Sequence, residues 1–310
     1  MSIRRKIALI GAGNIGGIIA MLMGIRPPGE VVLYDVIEGM PQGKALDLMH
    51  FASILSTDYH VTGTNRIEDI AGAKVCIVTS GVARKPGMSR KDLVKVNAAI
   101  IKDIAKSIRE HAPDAFVIVV TNPLDAMAWL MQRETGFPHN RVVGMAGVLD
   151  AGRYRAYLAQ ELGVSTSSVS AMVFGGHGDA MVPVRAFTTL KGIPIERLLT
   201  RQKLDAIEDR VRNSGAEIVN LLKSGSAFYS PAASALRMAE TYLGDRKVVM
   251  ACSAYCDGQY NVPGIYFGVP VVIGAGGVER IFEFELGPSE TELLRRSVQE
   301  VQETIALIDT

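Results

Sequence analysis

Short apolar runs alternate with helix-length segments through the first half of this 310-residue chain. Runs of this length predict buried strands. They lie at 7–10, 31–34, 75–78, 116–120 and 142–144, and helices are predicted between them at roughly 14–25, 41–52, 92–111 and 124–135. Because helical crossovers between parallel strands are right-handed, this alternation predicts an α/β fold built on a doubly wound parallel sheet.

The second half of the chain has a mixed pattern. Helices are predicted near 150–162, 203–222, 230–242 and 287–308, and strands near 168–174, 247–255 and 265–273. We therefore expect two domains, a doubly wound domain at 1–146 and a mixed α+β substrate domain at 147–310. No Pro, Gly or Ser-rich linker separates them, so the join is expected within 144–149.

Composition excludes several classes of protein. Hydrophobic residues make up 48% and charged residues 21%, which is typical of a soluble globular enzyme. Lys plus Arg (33) nearly balances Asp plus Glu (32), so no broad electrostatic field indicates a nucleic-acid or membrane partner. The apolar run at 7–10 is too short for a secretory signal, and no stretch approaches a membrane span. With only three cysteines, a cytoplasmic location is expected.

A glycine-rich turn follows the first predicted strand and opens the first predicted helix. Gly11-Ala12-Gly13-Asn14-Ile15-Gly16 has the G-x-G-x-x-G spacing of a Rossmann dinucleotide-binding turn. In such a turn, Gly11 permits the tight bend, Gly13 lets backbone approach a pyrophosphate, and Gly16 lets helix and strand pack closely. The phosphates would rest on the N–H groups at the helix start. Taken alone, the turn could also be purely structural.

An acidic residue ends the second predicted strand. Asp35 lies nineteen residues after Gly16, where a carboxylate can bind the ribose hydroxyls of a dinucleotide. The same charge repels the 2′-phosphate of NADP, and the next residues, Val36 and Ile37, offer no cation for it. The pair of features predicts NAD as the cofactor. The alternative is that Asp35 only starts a turn.

Three further segments carry residues suited to acid–base chemistry. His177 lies in a Gly-Gly-His-Gly-Asp turn after an apolar strand, and imidazole exchanges protons near neutral pH. Asp150 and Arg153 are three residues apart at a helix start, so they share a face. The carboxylate could orient an imidazole while the guanidinium binds an anion. A structural histidine and an ordinary intrahelical ion pair are the alternatives.

Two arginines flank a Pro-Gly turn after the strand at 75–78. Arg84 and Arg90 lie six residues apart in Arg84-Lys85-Pro86-Gly87-Met88-Ser89-Arg90. Loops at the carboxyl end of a parallel strand bind ligands, and guanidinium groups grip carboxylates with paired hydrogen bonds. Thr121-Asn122-Pro123 ends another strand of the same sheet, and its amide could bind a substrate hydroxyl. A solvated basic loop and a simple chain stop remain the alternatives.

In combination and in order, these motifs resemble the lactate/malate dehydrogenase family, and within it the lactate-dehydrogenase-like malate enzymes. The resemblance covers nearly the whole chain. It implies reversible NAD-dependent oxidation of (S)-malate to oxaloacetate, with His177 as the acid/base and Asp150 as its orienting carboxylate. It further implies that Arg153 binds the first carboxylate, that Arg90 polarises the reacting oxygen once its loop closes, and that Arg84 binds the second carboxylate. Lactate-type members typically carry Gln at that last position.

The resemblance also implies the remaining cofactor contacts and the assembly. Asn97, Val120, Thr121 and Asn122 join the glycine turn as cofactor-binding residues, with Asn122 contacting substrate too. The segment 225–227 would line the opposite wall. A homo-oligomer is expected, a tetramer favoured over a dimer, and the role would fall in the tricarboxylic acid cycle. The stripe of Ala45, Leu46, Leu48 and Met49 could be interface or ordinary core.

Three alternatives stay open at this stage. A lactate or other 2-hydroxy-acid dehydrogenase is the nearest, and Arg84 argues against it. A non-catalytic NAD-binding protein would need the glycine turn and Asp35 but not His177. A metal site is not expected, because Cys252 and Cys256 lie on a predicted strand and no histidine has ligand-like spacing to them.

Overall fold

The computed structural model describes residues 5–83, 88–223 and 225–309. The strands are β1 Lys6–Ile10, β2 Glu30–Tyr34, β3 His60–Thr64, β4 Val75–Val78, β5 Phe116–Val119, β6 Val142–Gly144, β7 Val169–Ser170, β8 Val173–Gly175, β9 Met181–Pro183, β10 Thr189–Leu190, β11 Ile193–Pro194, β12 Val248–Asp257, β13 Pro263–Gly274 and β14 Gly277–Ile281. The helices are α1 Asn14–Ile25, α2 Met40–Ile54, α3 Arg90–His111, α4 Leu124–Thr135, α5 Gly147–Leu162, α6 Arg201–Leu222, α7 Tyr229–Leu243 and α8 Pro288–Ala306. None of the described helices is long and apolar enough to cross a bilayer.

The main sheet has the strand order β14-β13-β12-β6-β5-β4-β1-β2-β3. Strands β1 to β6 are parallel, and the chain reverses direction across the sheet between β3 and β4. The predicted α/β class and doubly wound parallel sheet are therefore confirmed. Sequence reasoning missed the edge strand β3, because most of its side chains keep contact with solvent and no apolar run marks it.

The mixed second half adds antiparallel strands to the same sheet. β12 pairs with β6 at Ser253 and Gly144, and β13 and β14 continue outward from it. Two of these strands were predicted, but β14 was not. The single strand predicted near 168–174 is wrong, since β7 and β8 belong to two different small sheets.

The main sheet is covered by helices on both faces. Alternate side chains of β1 point to opposite sides, because side chains along a strand alternate. Ile7 and Leu9 pack in a buried cluster with α1 and α7, whereas Ala8 and Ile10 pack in a second cluster with α3 and α4. With both faces covered, the open positions along the carboxyl edge of the parallel strands are where ligands can approach.

Candidate active site

The glycine turn after β1 has the shape that its sequence predicts. Gly11 has φ +114°, and a Cβ there would lie 2.6 Å from Thr79 Oγ1. A Cβ on Gly16 would lie 1.9 Å from the Gly11 carbonyl oxygen, so only glycine lets α1 pack this closely. Gly13, by contrast, is exposed, and an added Cβ would meet nothing within 4 Å. The turn is thus tight on its inner side and open on its outer side, a geometry that fits a dinucleotide pyrophosphate.

Asp35 is held rigidly at the end of β2. One carboxylate oxygen accepts a hydrogen bond from the Ala12 N–H at 2.7 Å, and the other accepts from the Ile37 N–H at 3.0 Å. A carboxylate has about four acceptor positions, so the Asp35 oxygens retain capacity for hydroxyl donors. Beside it, Val36 and Ile37 are 79% and 58% exposed and offer apolar surface to an adenine ring.

Lys44 is a neighbour of the glycine turn that sequence reasoning missed. Its Nζ donates to the carbonyl oxygens of Ala12 at 2.6 Å and Gly13 at 3.1 Å. The ammonium therefore fixes the turn from α2 and adds positive charge where phosphates would lie. No local signal marked it, because a lysine on a helix is ordinarily a solvated residue and this contact depends on how α2 packs.

His177 and Asp150 form a hydrogen-bonded pair. The Nδ1 of His177 lies 2.8 Å from Oδ2 of Asp150, and the two side chains are 12% and 1% exposed. Asp150 belongs to the first turn of α5, where the helix dipole stabilises a negative charge. Since an ionised Asp150 accepts the proton of Nδ1, the other ring nitrogen, Nε2, is left with the lone pair in the neutral imidazole.

The pKa of His177 is raised above its ordinary value. Burial lowers it, but the charge of Asp150, its hydrogen bond and the charge of Asp125 together outweigh burial, while Arg153 opposes them. The imidazolium form is therefore retained to higher pH than in an exposed histidine, which suits a group that must both accept and return a proton.

Arg153 lies beside this pair with much of its bonding capacity unused. Its Nη1 is 3.5 Å from Asp150 Oδ1, at the limit of a hydrogen bond, and its side chain is 13% exposed. Its Nε is buried and makes no hydrogen bond within the described part of the chain. A guanidinium with donors left over is suited to grip a carboxylate that enters from outside.

A cavity of about 240 Å³ joins these groups. Its walls include Ile15 of the glycine turn, Val120 and Asn122 after β5, Arg153, His177, Arg212, Ser226 and Ala227. The structure thus brings predicted residues of four kinds to one space: His177 with its partner Asp150 behind it, the substrate arginine Arg153, three cofactor residues, and the opposite wall. Arg212 of α6 was not predicted.

A larger cavity of about 830 Å³ lies along α6 and α8 and does not contain His177. Its central cation, Arg185, is bonded to both carboxylate oxygens of Glu208 and contacts Asp205. Because these charges are already paired with one another, the larger volume of this cavity does not by itself indicate a binding site for an anionic substrate. We assign the active site to the smaller cavity, where acid–base and anion-binding groups meet.

Other predicted residues lie away from the cavity walls. Asn97 is fully buried, and its amide accepts from the Val82 N–H at 2.8 Å and donates to the Asn122 carbonyl at 2.7 Å. Thr121 is also buried and donates to the Ser80 carbonyl at 2.6 Å. Through these bonds, Asn97 orders the backbone around Val82 and Asn122, and Thr121 orders the backbone around Ser80.

Arg90 is the first residue of α3. Ser89 and Asp92 form a capping box that begins the helix two residues earlier than predicted. The guanidinium of Arg90 donates to Thr304 Oγ1 of α8 at 2.7 Å and is not among the described residues that line the cavity. Arg84, predicted to bind the second carboxylate, lies outside the described residues, as do the other members of 84–87.

Asp125 is the second carboxylate near His177, and sequence reasoning missed it. Its Oδ2 accepts from the backbone N–H of His177 at 2.8 Å, and its Oδ1 accepts from Ser253 Oγ at 2.7 Å. It lies three residues after Asn122, where an acid at a helix start needs no role beyond stabilising the helix. The partners are far apart in sequence, so no spacing could have revealed them.

Comparison with known proteins covers the whole described chain. Residues 5–144 match the lactate/malate dehydrogenase NAD binding domain, and residues 147–309 match the lactate/malate dehydrogenase alpha/beta C-terminal domain. Malate dehydrogenase 1 of Anaeromyxobacter dehalogenans is 55% identical over 308 residues, which is 99% of each chain.

Two solved structures from Cryptosporidium parvum have the same fold. Its malate dehydrogenase superposes with a TM-score of 0.96 at 45% identity over 99% of both chains. Its lactate dehydrogenase, solved with lactic acid and nicotinamide adenine dinucleotide, gives a TM-score of 0.96 at 45% identity over 100% of this chain and 99% of that one. The backbone is therefore shared equally by malate and lactate enzymes.

Proposed function

The chain belongs to the lactate/malate dehydrogenase family, and on that premise we propose that it interconverts (S)-malate and oxaloacetate with NAD. The observation that carries this proposal is the hydrogen-bonded pair of His177 and Asp150 beside Arg153, at a cavity whose walls also include Ile15 of the glycine turn. Acid–base and anion-binding groups that share a space with the NAD-binding turn suit oxidation of a hydroxy acid.

In the oxidative direction, His177 acts as the base. Asp150 holds the Nδ1 proton and leaves Nε2 to take the proton of the malate hydroxyl. NAD, when bound, would accept the hydride from the carbon that carries this hydroxyl. In the reverse direction the imidazolium returns its proton to the oxygen of oxaloacetate. Asp150 stabilises that imidazolium, and it is buried, so its charge is little screened by solvent.

Three arginines would bind and polarise the dicarboxylate. Arg153 has unused donors beside His177 and would take the first carboxylate. Arg90 would leave Thr304 and stabilise the charge that develops on the substrate oxygen. Arg84, from the sequence pattern, would pair with the second carboxylate. Asn122 would contact the substrate from the end of β5.

The NAD contacts follow the carboxyl edge of the parallel strands. The glycine turn would carry the pyrophosphate and Asp35 the ribose, while Val120 and Asn122 would approach the nicotinamide end. Thr121 and Asn97 would support that end through the backbone. We propose the division at 1–146 and 147–310 for the cofactor and substrate domains; His177, Asp150 and Arg153 fall in the second.

Two alternatives differ from this proposal in testable ways. A lactate enzyme would share the backbone and the His177–Asp150 pair, so only the group facing the far end of the substrate separates the two. A non-catalytic NAD-binding protein would have no use for that pair or for Arg153 beside it. Reduction of any 2-oxo acid with NADH would exclude the non-catalytic reading.

Substrate selection is tested with Arg84→Gln. We expect kcat/KM for oxaloacetate to fall by about 10²-fold, because a charge-assisted hydrogen bond to the second carboxylate is lost, while pyruvate reduction rises. Steady-state assays of both substrates with NADH, and with NADPH for comparison, measure this directly. Arg212→Gln is the matched control: Arg212 lines the cavity but is paired with Asp209 at 2.9 Å. If Arg212→Gln alone changes the substrate ratio, the role given to Arg84 is wrong.

We further propose a cytoplasmic homo-oligomer, with a tetramer favoured over a dimer from the family branch that the motifs resemble, and a place in the tricarboxylic acid cycle. The predicted apolar stripe on α2 is only partly buried. Ala45 and Leu48 are buried, whereas Leu46 and Met49 are about half exposed. Together with exposed Tyr229, they support a contact with a second copy. Light scattering of the purified protein tests this, and a monomer would contradict it.

A further inference from the structure

The turn that carries His177 is fixed by two buried side chains from different helices. The N–H of Gly176 donates to Ser297 Oγ of α8 at 2.8 Å. The N–H of His177 donates to Asp125 Oδ2 of α4, also at 2.8 Å. The two anchors restrain neighbouring peptide groups in the same way, but one is neutral and the other can carry a charge.

Asp125 is arranged as an ionised carboxylate. Both of its oxygens accept hydrogen bonds, one from the His177 N–H and one from the hydroxyl of Ser253. It lies in the first turn of α4, where the helix dipole favours negative charge. Burial, with a smaller contribution from the charge of Asp150, raises the pKa of Asp125 above its ordinary value, and the bonds from Ser253 and His177 oppose that rise. Ser253 itself has no exposed surface, so its bond to Asp125 is shielded from water.

One imidazole therefore has two buried acidic neighbours with different points of attachment. Asp150 is bonded to the ring at Nδ1, whereas Asp125 is bonded to the backbone of the same residue. We propose that Asp125, oriented by Ser253, is a positioning residue for the reaction: it fixes the turn that carries His177 and supplies a second negative charge that stabilises the imidazolium. This inference rests on the proposed role of His177 as the acid/base.

The other charged and titratable groups near the pair are few among the described residues. Asp150 and Arg153 face the imidazole, with opposite effects on its charge. Asp179 of the same turn and Arg212 of α6 line the same cavity as His177. Cys256 of β12 lies near Asp125, and burial raises the pKa of its thiol to about 12, so it stays neutral at working pH. A change in the titration of His177 after substitution at Asp125 thus reports the Asp125 charge.

The direct test is Asp125→Asn, which removes the charge but keeps the shape. Its oxygen can still accept from the His177 N–H, and its amide can donate to Ser253 once that hydroxyl reverses its role. NMR titration of the imidazole in the whole protein, with the signal assigned through His177→Asn, should show the His177 pKa lowered by on the order of 0.5–1 unit. The limb of the pH profile of kcat/KM for oxaloacetate should move to lower pH by the same amount.

Ser297→Ala is the matched control, because it removes the neutral anchor of the same turn. We expect it to lower kcat without moving the His177 titration. If Asp125→Asn behaves like Ser297→Ala, with an unmoved titration, Asp125 is only a structural anchor and the charge role is overturned. Should Asp125→Asn fail to fold, Asp125→Thr removes the same charge and keeps an oxygen that can accept from the His177 N–H, so an unmoved titration there has the same meaning.

The imidazole titration is read without substrate, so its outcome is independent of the identity of the substrate. A wild-type protein that reduces no 2-oxo acid would overturn the proposed function. A wild-type protein that is active, with a His177 titration unchanged in Asp125→Asn (or in Asp125→Thr, should Asp125→Asn not fold), would overturn only the role of Asp125.

Discussion

The two sides of the active-site cavity are prepared to different degrees. On the imidazole side, His177 is bonded at its ring to Asp150 and at its backbone to Asp125, and both carboxylates are buried. On the arginine side, Arg153 makes one contact of 3.5 Å and keeps a buried Nε without a partner among the described residues. Arg90 is bonded to Thr304, away from the cavity walls.

This contrast shows which part of the chemistry is ready before a ligand arrives. The proton-transfer group is oriented in advance, so no reorganisation is needed at the moment of reaction. The anion-binding donors are left incompletely bonded, and an unsatisfied buried N–H costs on the order of 1–3 kcal/mol. A substrate carboxylate that satisfies these donors recovers that cost, which favours acids over neutral carbonyl compounds.

The largest expected effect on the rate comes from removing the imidazole of His177, which is oriented before a ligand binds. His177→Asn keeps a side chain of similar reach but removes the titrating nitrogen. We expect kcat for oxaloacetate reduction to fall by about 10²–10⁴-fold, the usual contribution of general acid–base catalysis. NADH binding, followed by its fluorescence, should stay unchanged, because His177 supports no part of the glycine turn. Turnover close to that of the wild type would remove His177 from the mechanism.

A smaller effect is expected in the pH dependence of the two reaction directions. In the proposed mechanism, reduction of oxaloacetate needs the imidazolium, so its kcat/KM should be full below the raised pKa of His177 and decline as pH rises through it. Oxidation of malate needs neutral imidazole and should show the opposite trend. Because the charge and hydrogen bond of Asp150 raise this pKa, Asp150→Asn should move both limbs to lower pH by on the order of 1 unit.

Paired pH profiles of the two directions, measured for wild type and Asp150→Asn, check this expectation. The position of the limb separates an electrostatic role from a loss of folded enzyme, since unfolding would lower both rates without moving the limb. Limbs that stay in place would mean that Asp150 does not control the proton on His177.

The residues of the imidazole side were easier to predict from the sequence than the contacts of the arginine side, and the reason is physical. Gly11 and Asp35 directly follow parallel strands, whose order brings such positions to one edge. Asp150 lies in the first turn of the helix after β6, and His177 lies in a glycine-rich turn after β8, so a local pattern marks each of them. The Asp125–Ser253 bond spans 128 residues and depends on how β12 pairs with β6, which no local pattern encodes. Edge strands such as β3 and β14 were missed because they are only partly buried.

The position of Arg90 could not be predicted either, because it depends on a contact between α3 and α8.

The smallest expected effect is that of Thr304→Val, which removes the side-chain hydrogen bond in this contact. The substitution keeps the shape but removes the hydroxyl that accepts from Arg90 at 2.7 Å. If Arg90 must exchange this bond for the substrate oxygen, weakening the competing contact should lower KM for oxaloacetate by about 2–5-fold, the equivalent of one modest hydrogen bond. KM for NADH should not move. Thr304→Ser retains the acceptor and should behave like wild type. An unchanged KM in Thr304→Val would mean that the contact with Thr304 does not compete with the substrate for Arg90.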